Sequence, residues 1–224
     1  MIASASPNFD ARPPGADIDM LVIHYTGMID ADAALDRLCD PGAKVSAHYL
    51  IDEDGGVTAL VDEADRAWHA GVAWWRGETD INGRSIGIEM VNPGHDLSYR
   101  PFTEAQMTAL EALARDILAR HPIPPRNVVG HADVAPTRKQ DPGELFPWHR
   151  LSQARIGLWP DEAGPIAEAD VAAGLADFGY ETTNLHDTLI AFQRHFRPRV
   201  VDGVADAETR AHLGSLLRHT GVTT

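Results

Sequence analysis

Cysteine is almost absent. Cys39 is the single one in 224 residues, so no intrachain disulfide forms, and a bound metal would have to be held by nitrogen and oxygen rather than by a thiolate cluster. Cationic residues are also scarce: 19 Lys and Arg stand against 33 Asp and Glu, a formal charge of −14 with His neutral. No Lys/Arg-rich run breaks that background, which argues against a nucleic-acid partner. No apolar run reaches the length of about 18 residues that a membrane span needs, so no membrane segment is expected. The opening MIASASPNFDARPPGAD has neither a basic n-region nor an apolar h-region. No secretory signal is read there, and a cytoplasmic location is expected, with the periplasm as the alternative if the true start lies upstream.

The 44% of apolar residues suffice for a packed core. Residues 1–19, rich in Pro, Asp and Ser, read as an extended lead-in. Met20–His24 is a continuous apolar strand, and Asp30–Cys39 has helical spacing ended by Asp40-Pro41-Gly42. Val45–Ile51 and Val57–Val61 are β-type runs around Asp54-Gly55-Gly56, a hairpin signal. Ser85–Val91 is a further strand. Thr103 with Gln106 forms a capping box for a helix whose stripe is Met107, Leu110, Leu113, Ala114, Ile117 and Leu118. Val128–His131 is a last short strand. Strands mixed with helices predict an α/β domain over residues 1–158. Composition then shifts at Trp159–Pro165, which reads as a linker, and residues 166–224 follow as three helices, Ile166–Phe178, Leu185–Phe196 and Asp206–His219, a small C-terminal three-helix bundle.

Two of the strands end in a histidine, His24 and His131, and Asp141 follows ten positions after the second, before a Pro-Gly turn. A lone histidine at a strand edge is an ordinary polar residue. Two with one carboxylate are the donor set of an open catalytic zinc site, whose remaining position takes water or substrate. Glu89 lies inside SIGIEMVN, where an ionised carboxylate is costly unless it faces a cleft. It is either a general base or the polar side of an alternating strand. Lys139, two residues before Asp141, is either an oxyanion partner or a solvated loop lysine.

The segments VIHYT, VSAHYLIDEDG, RAWHAG, NGRSIGIEMVN and GHADVAPTRKQDPG, in this order and spacing, resemble the AmpD-type, amidase-2 family of zinc-dependent N-acetylmuramoyl-L-alanine amidases, relatives of the peptidoglycan recognition proteins. The similarity spans about residues 18–150. It implies a mixed central β-sheet flanked by helices and hydrolysis of the amide between the lactyl group of N-acetylmuramic acid and L-alanine. It implies zinc on His24, His131 and Asp141, Glu89 as the acid/base that activates the attacking water, and Lys139 as the oxyanion partner. Asp133 and Ala135–Arg138 match the loop holding that segment. His48 matches a family histidine read as buried. Trp68 and His69 resemble a cleft wall, Asn82 and Arg84 precede the Glu89 strand where the family contacts the stem peptide, and Lys44 stands where some members carry a basic residue. Tyr25 replaces the Asn that cytoplasmic recycling members have after the first ligand, and it is counted with the substrate-binding set.

LIAFQRHFRPRVVDGVADAETRAHL is similar to the three-helix peptidoglycan-binding module, with Phe192, Gln193, Phe196, Asp202, Gly203, Asp206 and Thr209 carrying the match. The other reading is a helical cap on the catalytic domain. The remaining histidines, among them His95 and His195, read as surface or packing residues, and Trp74 and Trp75 as core or rim. The expected protein is a monomer acting on peptidoglycan fragments or the sacculus. A non-catalytic recognition protein and a zinc peptidase are the alternatives, although the HExxH pattern of many metallopeptidases is absent.

Overall fold

The computed structural model describes residues 2–3, 5–161 and 164–221, with the side chains of Ile2 and Ala3 left aside. Its strands are β1 (Ile2–Ala3), β2 (Phe9–Ala11), β3 (Met20–Tyr25), β4 (Tyr49–Ile51), β5 (Val57–Ala59), β6 (Asp65–Ala67), β7 (Ser85–Met90) and β8 (Val128–Gly130). Its α-helices are α1 (Ala31–Cys39), α2 (Ile81–Arg84), α3 (Gly94–Leu97), α4 (Glu104–Arg120), α5 (His131–Val134), α6 (Trp148–Gln153), α7 (Val171–Phe178), α8 (Leu185–Phe196) and α9 (Ala207–His219). The main sheet runs β1-β5-β4-β7-β3-β8 and is mixed: β4, β7, β3 and β8 are mutually parallel and β5 is antiparallel to β4. A β2–β6 ribbon pairs part of the lead-in.

Local chemistry explains the boundaries. Asp30 caps α1 by accepting from the Ala33 N–H at 2.9 Å. Thr103 and Gln106 exchange bonds in a complete capping box on α4. Gly55 turns the β4–β5 hairpin at φ +87°, a conformation open to glycine. Some elements are shorter than the sequence pattern predicts. Val45–His48 precedes its strand, and α7 begins only at Val171, after Pro165 and a single 3₁₀ turn over Glu168–Asp170.

The period-2 alternation of β3 divides the core. Leu21 and Ile23 face Ile86, Ile88, Leu110, Ile117 and Trp148, under α4 and α6. Met20 and Val22 face the other way, into a cluster with Trp75, Val129, Leu175, Phe178, Phe192 and Leu216. On that second face α1 covers Leu50 through Ala34 and Leu38. Between α1 and the C-terminal helices the ends of the strands stay open. The helical tail therefore covers the sheet directly. Glu162 and Ala163 of the expected linker lie outside the described residues, but Trp159 packs on both clusters and the Asp161 N–H donates to Ser215 Oγ at 2.8 Å. Trp75 belongs to the core, with its indole N–H donated to Asn127 Oδ1.

Because sheet and tail share one core, Leu175→Ala should destabilise the whole chain by about 2–5 kcal/mol. Calorimetry should show a single transition moved to lower temperature. Two transitions, with only one displaced, would mean that the tail melts on its own.

Candidate active site

Three parallel strands bring the chemistry to one edge. β7 and β8 flank β3, and His24 is the register partner of Glu89. Gly130 pairs with Ile23, so the next residue, His131, leaves the strand to begin α5 just beside His24. The loop after α5 returns to its start: the Ala132 N–H donates to the Asp141 carbonyl at 2.9 Å. The carboxyl ends of parallel strands are where open α/β sheets place their sites.

His24 Nδ1 lies 2.9 Å from His131 Nδ1, and Asp141 Oδ2 lies 3.0 and 3.1 Å from the two nitrogens. All three side chains are buried. The surrounding hydrogen bonds decide which atoms carry protons. The Ser85 hydroxyl donates to the Ile81 carbonyl at 2.6 Å, so its oxygen must accept from His69 Nε2–H, 3.1 Å away. Neutral His69 then has a bare Nδ1, which accepts from His24 Nε2–H at 3.1 Å. His24 is left with a lone pair on Nδ1. On the other side His131 Nε2–H donates to the Ala70 carbonyl at 3.0 Å, leaving its Nδ1 bare as well. Two imidazole lone pairs and a carboxylate oxygen thus converge with no proton among them. That is a donor set for a divalent cation, with each imidazole oriented through its far nitrogen.

The electrostatics agree. Burial, then the neighbouring His131, pushes His24 down to about 4. Burial also holds His69 far below its ordinary value, with His24 and His48 adding to it. Burial alone would raise the Asp141 carboxyl, and the opposite pull through the Nδ1 atoms of His131 and His24 needs positive charge in the cluster, a proton or a cation in its place. Glu89 is driven well above its ordinary value by burial and by Asp141, with Lys139 working in the opposite sense. Its Oε2 is buried with no hydrogen-bond partner among the described residues.

The site opens into a cleft of about 380 Å³. Glu89, Lys139, Tyr25, Trp68 and His69 line it together with His24, His131 and Asp141. His69 is held less as a wall than as the partner of His24, packed so closely over β7 that a Cβ on Gly87 would fall 2.5 Å from its ring. The Tyr25 hydroxyl bonds His95 Nδ1 at 2.9 Å, and His95 in turn reaches Glu144. Three expected substrate residues lie outside the lining. Arg84 pairs with Asp19 at the opposite, amino-terminal ends of β7 and β3. Asn82 is buried, and its Oδ1 accepts the N–H groups of His69 and Ala70. Lys44 is exposed on the loop before Val45. In their place Arg37, from the last turn of α1, and Arg138 line the cleft, with Asp96 and Gln140. Arg37 carries no sequence signal beyond its position next to the buried Leu38.

Fold and site define a mixed α/β sheet with a buried His-His-Asp cluster that could hold a metal ion at the carboxyl ends of its parallel strands. Residues 14–144 match the Amidase_2 family, described as N-acetylmuramoyl-L-alanine amidase. The chain is 43% identical to N-acetylmuramoyl-L-alanine amidase AmiD of Escherichia coli K12 over 91% of this chain and 84% of that protein. It is 39% identical to 1,6-anhydro-N-acetylmuramyl-L-alanine amidase AmpD of Haemophilus influenzae over 65% of this chain and 86% of the relative. Among solved structures, AmpDh3 of Pseudomonas aeruginosa in complex with anhydromuramic pentapeptide superposes with a TM-score of 0.84 at 34% identity, covering 98% of this chain and 99% of that one. The chain belongs to the amidase-2 family of N-acetylmuramoyl-L-alanine amidases.

The proton pattern makes His69 an orienting residue for His24. His69→Phe keeps a ring in place and removes the acceptor for His24 Nε2–H. Calorimetric titration should show divalent-metal affinity falling by about 10-fold or more. Unchanged affinity would leave His69 a packing residue.

Proposed function

We propose that this amidase is zinc-dependent and cleaves the lactyl–L-alanine amide of peptidoglycan fragments, with zinc held by His24, His131 and Asp141. The observation that carries this reading is Glu89: a carboxylate oxygen without a hydrogen-bond partner among the described residues, buried at the cleft and in register with His24. Bound at these three residues, zinc supplies a Lewis acid that polarises the amide carbonyl and acidifies water. Glu89, made more basic by burial and by Asp141, takes the proton of the attacking water at its carboxylate and returns one to the departing L-alanine nitrogen. Lys139 sets its ammonium toward the carbonyl oxygen as negative charge develops there. His69 and Ser85 hold the His24 ring so that its bare nitrogen stays turned inward.

The cleft's other charges suit a muramyl peptide. Arg37, Arg138 and Lys139 present cations to the carboxylates of a stem peptide, while Trp68 and Tyr25 offer faces for the sugar and lactyl groups. Solved relatives carry such substrates: AmiD of Escherichia coli was solved with anhydro-N-acetylmuramic acid-L-Ala-D-γ-Glu-L-Lys. We extend the partner to the sacculus through the tail, residues 166–224, on its likeness to the peptidoglycan-binding module. Among the described residues no helix is long and apolar enough to cross a membrane.

Two variants test the assignment. His24→Ala should strip most of the zinc found by elemental analysis, together with all measurable cleavage. A full complement of zinc in that variant would place the metal elsewhere. Glu89→Gln should retain zinc and substrate affinity while turnover of muropeptides, followed as free stem peptide by mass spectrometry, falls by roughly 10²–10⁴. Turnover within a few-fold of the parent would assign Glu89 to the strand's polar side, and products shortened within the peptide would indicate a peptidase.

A further inference from the structure

The C-terminal tail reaches the metal-site residues through two adjacent side chains of α8. The first is His195. Its Nδ1 donates to Asp133 Oδ2 at 2.7 Å, its ring stacked between Trp148 and Phe196 at centroid distances of 3.8 Å. Asp133 is buried and stands two residues after His131 in α5. Its Oδ2 also accepts the Gly130 N–H at 2.7 Å, and its Oδ1 accepts the Tyr180 hydroxyl at 2.6 Å. Among the described residues, two of the three donors that satisfy this carboxylate therefore belong to the tail. The second side chain is Arg194. It donates to Gln140 Oε1 at 3.1 Å and lies 3.6 Å from Glu144 Oε2, so it grips the loop on both sides of Asp141. Glu144 extends the chain of contacts through His95 to Tyr25, the residue after His24.

We propose that the helical tail is a positioning element for the metal site: α8 braces the His131 segment through Asp133 and the Asp141 loop through Gln140 and Glu144. On this account residues that never touch the metal set how firmly it is held. Metal ligands need both correct atoms and fixed directions, and outer partners supply the second. Here the directions of two of the three ligands depend on one turn of a helix more than fifty residues away in sequence. The proposal rests on the assignment of zinc to His24, His131 and Asp141.

The test uses the full chain. Tyr180→Phe removes one hydroxyl, Arg194→Met removes the grip on the loop, and the two are combined. Val171→Ala, buried in the same apolar cluster, serves as the control because its side chain makes no polar contact with either ligand segment. For each protein, zinc affinity is measured by competition with a chromophoric chelator, and the melting temperature of the metal-free form is recorded alongside. The double variant should bind zinc about 10-fold or more weakly and release it faster, while Val171→Ala lowers the melting temperature and leaves zinc affinity at the parent value. If the double variant does not fold, Arg194→Met alone, a residue outside the apolar cluster, should show the same effect in smaller degree. Zinc affinity equal to the parent's, or reduced no more than in Val171→Ala, would overturn the proposal and leave the tail a packing layer. A parent protein that binds no zinc would overturn the metal assignment itself, which separates the two failures.

Discussion

Everything at the site follows from the register of β3 between two parallel neighbours. Parallel pairing of β3 with β7 sets His24 opposite Glu89, and pairing with β8 delivers His131 at the moment the strand ends. A one-residue slip of β3 would turn His24 to the α4 face of the sheet and carry Leu21 and Ile23 out of their cluster. The core and the site are therefore specified by the same constraint. The alternation that buries Leu21 and Ile23 on one side and Met20 and Val22 on the other also fixes the face from which His24 emerges.

Position alone does not make a binding site. Each imidazole has two nitrogens, and an unconstrained ring presents either a lone pair or a proton. The Ile81 carbonyl, the Ser85 hydroxyl and His69 form a directed series in which each donor is already committed, and the Ala70 carbonyl does the same for His131 in one step. The result is a pocket of converging lone pairs that a bound cation would stabilise. Glu89 differs from Asp141 through its surroundings rather than its chemistry. Asp141 faces the inward nitrogens of two imidazoles, where any positive charge in the cluster would favour its carboxylate, whereas Glu89 is driven well above its ordinary value by burial and by Asp141. On the function proposed above, two carboxylates close in space are thereby divided between holding a metal and moving a proton.

What the sequence made legible is what local chemistry dictates. Asp30, Thr103 with Gln106, and Asp206 announce helix starts because caps are short-range, and Asp54-Gly55-Gly56 announces its hairpin for the same reason. His24, Glu89 and His131 stood out because each is a polar residue in or just after an apolar run. Arg84 and Asn82, expected near substrate from the family resemblance, do not line the cleft. They precede the Glu89 strand, and the site lies beyond its other end. His195 and His95 were read as surface or packing residues because they fit no ligand spacing and nothing within a few positions hints at their partners. Asp133 is 62 positions from His195, and Tyr25 is 70 from His95.

The tail shows how a motif and a role come apart. Of the residues that carry its likeness to a peptidoglycan-binding module, the polar ones serve its own fold. Gln193 donates to the Val204 carbonyl and to Asp202 and accepts the Asp202 and Gly203 N–H groups, while Asp206 caps α9 through Thr209. Phe192 and Phe196 lie in the cluster shared with the sheet. Such a motif identifies an architecture, because losing any of these contacts would undo the turn between α8 and α9. It is silent on the outward surface that a ligand would meet. Of the side chains joining the tail to the active site, Tyr180 lies before the motif's segment, and Arg194 and His195 lie within it but are not among the residues that carry the likeness. A module whose internal residues keep its shape is free to acquire a second task at its edge, and here that edge adjoins the segments that carry His131 and Asp141.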